Sequence, residues 1–321
     1  MQLKLYISIL IILVTSGIYS QNRITYSQYM HNLGVFNPAY FSLGEEFTAT
    51  AYYRRQWLGI DGSPTTKSLV AGLSVKNKHR VNLNIYQDGI TIFNDFKVGL
   101  GYNYRIKMTE RSYLSLGFKA DYGQFQSNYT DLTVQDIGDN VVLNNPSSKR
   151  YLNIGTGMYY QSPSFFASLS SPFLLNNSVL KPLNHLGSFA LKFNHIYAAA
   201  GGKFHTESVA FFPTMLLKVV GGAPPQIDLN ANVLLYQQIW LSGGLRNDLT
   251  IILSTGYVMR NGMKLIYSYD ISSFSNAYYS AGTHEISLGY GFSFYRLGLT
   301  RKKYVKKSGK FKRKFKVRPS F

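Results

Sequence analysis

Residues His284 to Phe294 alternate strictly between two kinds of side chain. Ile286, Leu288, Tyr290, Phe292 and Phe294 fall on one face, and Glu285, Ser287, Gly289, Gly291 and Ser293 on the other. Successive side chains of a strand point to opposite faces, so one face here is apolar and the other small or polar. Lys97 to Ile106 repeats the pattern, with Val98, Leu100, Tyr102, Tyr104 and Ile106 against Lys97, Gly99, Gly101, Asn103 and Arg105. Leu114, Leu116, Phe118, Ala120 and Tyr122 alternate likewise with Ser115, Gly117, Lys119 and Asp121. Leu229, Ala231, Val233 and Leu235 do so with Asn230 and Asn232. A soluble sandwich also alternates, but with more charge outside and shorter strands.

The same period over the whole chain predicts fourteen strands. They lie near 47–56, 66–76, 79–87, 96–106, 113–123, 150–161, 164–170, 188–204, 208–219, 226–236, 238–246, 249–259, 262–271 and 284–296. Several approach the 9–11 residues of a tilted membrane-spanning strand. The connections fall into two classes. Stretches 57–65, 88–95, 124–149, 171–187 and 272–283 are long, while Asn77-Lys78, Ser162-Pro163, Gln237 and Arg260-Asn261-Gly262 are tight. Asn-Gly is the strongest short hairpin signal. Long loops on one side and short turns on the other suit an outer-membrane barrel, with the short turns periplasmic. The expected fold is therefore all-β, a transmembrane antiparallel up-and-down barrel spanning residues 47–296, and an even strand count puts both termini in the periplasm.

The start of the chain adds an export signal. Met1 to Lys4 is a short basic region, Leu5 to Val14 is apolar apart from Ser8, and Thr15 to Ser20 is smaller and more polar. That order predicts a signal peptide over 1–20. After it no run reaches the roughly 18 apolar residues of a membrane helix. Composition agrees with a barrel: 26 Tyr, 21 Phe and 28 Gly stand beside only 15% charged residues. With no Cys in the chain, disulfides, thiolate metal sites and a lipoprotein anchor are excluded.

Several motifs resemble one family. Gln28-Tyr29-Met30 is followed by Asn37-Pro38-Ala39-Tyr40, then by Arg55-Gln56-Trp57-Leu58-Gly59 and Gly62-Ser63-Pro64-Thr65-Thr66. Asp228-Leu229-Asn230-Ala231 precedes Ile239-Trp240-Leu241-Ser242-Gly243-Gly244-Leu245-Arg246, and Tyr267-Ser268-Tyr269-Asp270 and His284-Glu285-Ile286 come near the end. Their order and spacing resemble the PorP/SprF family of Bacteroidetes outer-membrane proteins. The resemblance implies a component of the type IX secretion system, which also supports gliding motility and adhesin display. It implies partners of two kinds, other secretion components and secreted proteins with a C-terminal sorting domain. Gln28, Tyr29, Asn37, Pro38, Ala39, Tyr40, Gln56, Trp57, Gly59, Gly62, Pro64, Asp270, His284 and Glu285 become docking candidates.

Local chemistry adds alternatives. Asn37 can form an Asx-type turn and Pro38 fixes φ. The 21–46 stretch then reads either as an ordered periplasmic segment packing in the barrel mouth or as a plain loop with a rigid turn. Gln56-Trp57 reads as an aromatic at the membrane interface, either docking a partner or as ordinary girdle packing. Of the formal +19 charge, +11 sits in residues 301–321, on Arg301, Lys302, Lys303, Lys306, Lys307, Lys310, Lys312, Arg313, Lys314, Lys316 and Arg318. Residues 297–321 read as a periplasmic arm for an acidic partner, anionic headgroups or the cell wall, or as a solvated tail. An exported barrel does not meet nucleic acid, so that partner is set aside.

Enzyme chemistry finds no foothold. The six His, at 31, 79, 185, 195, 205 and 284, have no metal-ligand spacing. His284 and Glu285 are neighbours and point to opposite faces of a strand. Asp131, Asp136 and Asp139 do not match a calcium loop. No catalytic residue, metal or cofactor is expected. Three functions remain: a secretion or surface-anchoring component, a channel for small solutes, and a barrel hydrolase for which no residue is singled out.

Overall fold

The computed structural model describes residues 26–42, 45–128, 148–175, 195–272 and 280–292. Among them the alternating stretches form β1 (Phe47–Arg55), β2 (Thr65–Val75), β3 (His79–Ile90), β4 (Phe93–Lys107) and β5 (Tyr113–Ser127). Next come β6 (Ser148–Gln161), β7 (Phe165–Ser171), β8 (His195–Gly202), β9 (Phe204–His205) and β10 (Val209–Val220). The last are β11 (Gln226–Leu235), β12 (Ile239–Arg246), β13 (Ile251–Val258), β14 (Met263–Ile271) and β15 (Thr283–Phe292). β8 and β9 both pair with β10, so they are two pieces of one stave and the wall has fourteen staves. Neighbours are antiparallel throughout, and β1 closes the sheet on β15 from Phe47↔Phe292 to Arg55↔His284. A closed sheet leaves no unpaired edge, which is what a strand structure needs in hydrocarbon.

The two faces sort as the alternation requires. In β4, Leu100 is 62% exposed on the outside while Asn103 is fully buried inside. Such outward side chains need no protein core because lipid covers them.

The connections differ from expectation chiefly between β3 and β4. Residues 88–95 do not form a long loop. Asp88 pairs with Asp95 and Gly89 with Asn94, leaving Thr91 and Ile92 as the whole turn. Asp, Gly and Asn are turn formers by propensity, but here they continue a stave whose inner face is polar. β4 and β5 therefore reach 15 residues each, beyond the 9–11 needed to span. Two turns also shift by a residue. Lys76 and Asn77, and Tyr236 and Gln237, carry the paired positive φ of tight hairpins. Residues 129–147, with Asp131, Asp136 and Asp139, lie outside the described residues. So do the signal-peptide stretch and the basic tail.

The barrel has a loop end, at 56–64 and 280–282, and a turn end, at 76–78 and 236–238. Residues 26–42 run inside the lumen between them. Tyr26 and Ser27 stand level with the loop-end residues Ser68 and Arg54. At the turn end Glu45 approaches Lys264, the second residue of β14. The segment thus lies deeper than a mouth contact.

Candidate functional site: a segment fastened in the lumen

The segment folds as two short 3₁₀ turns, Tyr29–His31 and Leu33–Val35, followed by the Asn37-Pro38-Ala39-Tyr40 turn. The Asn32 side chain caps the second turn by accepting from the Gly34 N–H at 2.9 Å. Its apolar side chains meet apolar side chains on the inner wall. Tyr26, Tyr29, Met30, Leu33, Phe36, Ala39 and Tyr40 form one buried cluster with Tyr52, Tyr159, Tyr197, Phe212, Leu216, Leu234, Trp240 and Ile266. Phe36 stacks on Tyr197 at 4.8 Å, and His31 lies edge-on to Trp240 at 4.3 Å. This is a protein core inside a barrel, and it drives the segment to stay by removing apolar surface from water.

Polar anchors fix where it stays. At the loop end, the Ser27 and Gln28 backbone N–H groups donate to the two oxygens of the Glu285 carboxylate at 2.9 and 3.0 Å. The Gln28 side-chain amide donates to the Glu285 backbone carbonyl at 2.9 Å and accepts from Ser287. Ser27 Oγ donates to Asp270 at 2.6 Å. Arg54 bridges both acids, at 2.8 Å to Asp270 and 3.0 Å to Glu285. Arg246 holds Asp228 through two hydrogen bonds of 2.9 and 3.0 Å and lies 4.0 Å from Asp270. Two guanidinium groups thus face three carboxylates, all of them buried. Ion pairs of this kind add little net stability, because desolvation offsets attraction. Their effect is selective: the Gln28 N–H supplies the donor to Glu285 Oε1, the oxygen that Arg54 does not reach.

The second anchor is the Asn37 turn. Asn37 Oδ1 accepts from the Ala39 N–H at 2.8 Å, the Asx geometry expected of this residue. Its amide donates to the Met158 carbonyl and to Ser168 Oγ, each at 2.8 Å. Asn103 donates to the Pro38 and Tyr40 carbonyls at 3.0 and 2.9 Å, and Asn82 to the Pro38 carbonyl at 3.3 Å. The wall here is cut back to backbone. Gly117 and Gly157 are paired across β5 and β6. A Cβ on Gly117 would lie within 2.6 Å of the Ala39 backbone. Side chains at these positions would close the seat.

The candidates from the sequence therefore separate into three places. Gln28, Tyr29, Asn37, Pro38, Ala39, Tyr40, Asp270 and Glu285 meet in the lumen. Tyr29 is fastened through its hydroxyl, which accepts from Asn230 at 3.0 Å. Gln56, Trp57, Gly59, Gly62 and Pro64 instead build the loop-end connection 56–64. Gln56 N–H donates to the Pro64 carbonyl, Leu58 exchanges two hydrogen bonds with Ala281 and Gly282, and the Gly62 carbonyl accepts from Thr91. Gly59 and Gly62 have φ of 97° and 69°, in the positive-φ region that glycine enters most readily. His284 points out of the barrel, its Nδ1 2.6 Å from the Tyr267 hydroxyl, while Glu285 points in.

Sequence reasoning missed Arg54 as a site residue. The signal was there: in β1 it shares the parity of Tyr52, so it is a charge on the inner face. It also left Asp228 and Arg246 out of the candidate set, although both stand in quoted motifs on inner-facing positions.

The comparisons with known proteins bear on the whole barrel. A family model described as the type IX secretion system membrane protein PorP/SprF matches residues 18–290. No curated protein matches the chain. Among solved structures, the toluene transporter TbuX of Ralstonia pickettii is 10% identical, with 83% of this chain and 93% of that chain covered at a TM-score of 0.47. The CymD monoaromatic hydrocarbon channel is 11% identical over the same shares, also at 0.47. The outer membrane protein Omp33 of Acinetobacter baumannii is 7% identical, with 77% and 97% covered at 0.43. These are distant likenesses of barrel wall and carry nothing further.

Proposed function

The chain belongs to the PorP/SprF family of type IX secretion system membrane proteins, and on that premise we propose that it works as a docking component of outer-membrane secretion rather than as an open channel. The observation that carries this reading is the segment 26–42, which lies inside the lumen, packs on the inner wall and is fastened at both ends of its run. A solute path needs a wet, continuous lumen. A filled barrel instead offers a rigid wall, a structured loop end and a held segment, all suited to protein contacts.

The partners in this reading are secreted proteins with a C-terminal sorting domain, displayed at the surface as adhesins, together with other secretion components. The loop end faces the cell surface and the turn end the periplasm. β1 begins and β15 ends at the turn end, so the chain after β15 starts from the periplasmic side. There the tail after residue 300 contacts an acidic or cell-wall partner through its basic side chains. The lumen segment begins at the other end, where Tyr26 stands level with the loop-end residue Ser68. Nothing in this reading calls for a catalytic group.

The test is genetic. Removing the gene should abolish surface display of at least one protein with a C-terminal sorting domain, and the gene carried on a plasmid should restore it. Unchanged display of every such protein would sink the proposal.

A further inference from the structure

Charge is unevenly spread over the turn end of the barrel. The connections 76–78 and 108–112, with Lys107 at the end of β4, expose Lys76, Lys78, Lys107 and Arg111 against one acid, Glu110. The other turn-end connections, 162–164, 206–208, 236–238 and 259–262, carry one cation, Arg260, and one acid, Glu207. Positive charge therefore gathers on the sector from β2 to β5.

Two arginines lie beneath it on the inner face. Arg80 and Arg105 both approach the Phe41 ring, at 5.8 and 4.1 Å. Arg80 is satisfied, since its three nitrogens donate to Asn82, Ser74 and Thr48. Arg105 is not. It is only 8% exposed and lies between Phe41 and the Tyr113 ring, 4.5 Å away, with its Nε donating to the Asn77 carbonyl at 2.9 Å. Its two terminal nitrogens meet no acceptor among the described residues, yet neither is sealed from solvent. Lys78 stands directly opposite Arg105, one step past the His79–Tyr104 register pair, and its carbonyl accepts from the Arg105 N–H at 2.7 Å. Like charges placed opposite each other on a sheet are destabilising. Among the described residues no carboxylate forms an ion pair with Lys78, Arg80, Arg105 or Lys107. Glu45 is engaged instead by Lys264 at 3.7 Å and by Ser42 at 3.1 Å. A guanidinium nine-tenths buried and given no anion calls for one.

We propose that this mouth clamps an acidic segment of a periplasmic protein, with carboxylates on Arg105, Lys78 and Lys107. The two rings hold the guanidinium in place and leave its terminal nitrogens as a two-pronged edge, the geometry that takes a carboxylate through two parallel hydrogen bonds. Lys107 follows Arg105 by two residues on the same face of β4, about 7 Å along the strand. Acidic side chains at alternate positions of an extended partner segment match that spacing. A phospholipid is the poorer occupant. Lipid meets this wall from the other side, where Tyr104 and Ile106 are exposed. The site rests on the docking reading for its periplasmic placement and gives the chemistry of one contact.

The experiment uses the purified full chain in lauryldimethylamine oxide, so its failure leaves the surface-display test standing. The chain holds no Cys, and Met108 is exposed in the turn beside the site, so a dye on Met108→Cys reports this mouth. The probes are a capped peptide with three glutamates at alternate positions, its glutamine counterpart, inorganic phosphate and the soluble lipid dihexanoyl phosphatidylglycerol. The glutamate peptide should bind and lose affinity as salt rises, and the glutamine peptide should not bind. Arg105→Gln should weaken binding about tenfold or more, the value of a hydrogen bond to a charged group. Lys78→Gln with Lys107→Gln should weaken it about threefold, as for exposed pairs. These two exposed lysines keep the test open where Arg105→Gln fails to fold. No binding of the glutamate peptide, or binding unchanged by both sets of substitutions, which would place the peptide on the basic tail, would overturn the proposal. So would phosphate or the lipid binding as tightly as the peptide.

Discussion

Arg54 and Glu285 are register partners across the seam that closes the barrel, and their side chains meet inside it at 3.0 Å with neither exposed to solvent beyond 2%. The same seam receives Ser27 and Gln28, so closing the wall and seating the segment are coupled in one network. Arg54→Met removes the positive partner and leaves Asp270 and Glu285 buried together. Breaking a buried pair in this way costs about 3–5 kcal/mol. Urea unfolding of the detergent-folded barrel should show that loss, and adding Glu285→Gln should recover part of it. A loss below about 1 kcal/mol, the value of an exposed pair, would contradict the network.

Gly117 has a different consequence. A side chain there occupies the seat of the Asn37 turn without touching the outer wall. Gly117→Val should displace the segment while the strands stay folded. In an Ala39→Cys background, where the residue is fully buried, labelling by a polar maleimide should be negligible without the valine and rapid with it. Equal labelling in both would contradict the seat.

Leu288 tests the lipid face. It is 49% exposed in the middle of β15, and its neighbour Ser287 is buried in the lumen. Leu288→Arg should destabilise the protein in phosphatidylcholine vesicles by about 2–4 kcal/mol, the cost of arginine on a barrel at the bilayer midplane. Leu288→Phe should cost far less. Reversible urea titration in vesicles measures both.

The basic tail gives a separable prediction. A chain ending at Thr300 should still insert as a heat-modifiable barrel. Binding of the intact protein to anionic vesicles should fall steeply as salt rises, and the truncated form should lose it. Failure of the truncated chain to insert would assign the tail to assembly instead.

Much of this fold was legible because period-two alternation is forced by the two solvents of a barrel wall. Leu100 against Asn103, or Leu288 against Ser287, declares its face by chemistry alone. In β10 that contrast is absent, yet the stretch 208–219 reads as a strand and is one. In β10, Phe212 and Leu216 face inward and Met215 faces outward, so both faces are apolar. The alternation vanishes there because the inner face packs on Tyr29 and its neighbours rather than on water. Residues 88–95 were misread because polar residues inside a lumen look like a loop. The motifs singled out Gln28, Asn37, Asp270 and Glu285, yet no spacing could show that residues more than 240 positions apart, such as Ser27 and Asp270, are hydrogen-bonded. Arg54 was legible only by parity, and that inference needs the barrel to be assumed first.

The filled lumen is the centre of the account, and single-channel recording in planar bilayers reads it directly. The full chain should give no steady conductance. The same barrel lacking residues 26–42 should give discrete, steady openings, with the Gly117→Val protein between the two. Large steady currents from the full chain, or indistinguishable traces from the full chain and the deletion, would contradict a lumen closed by its own N-terminal segment.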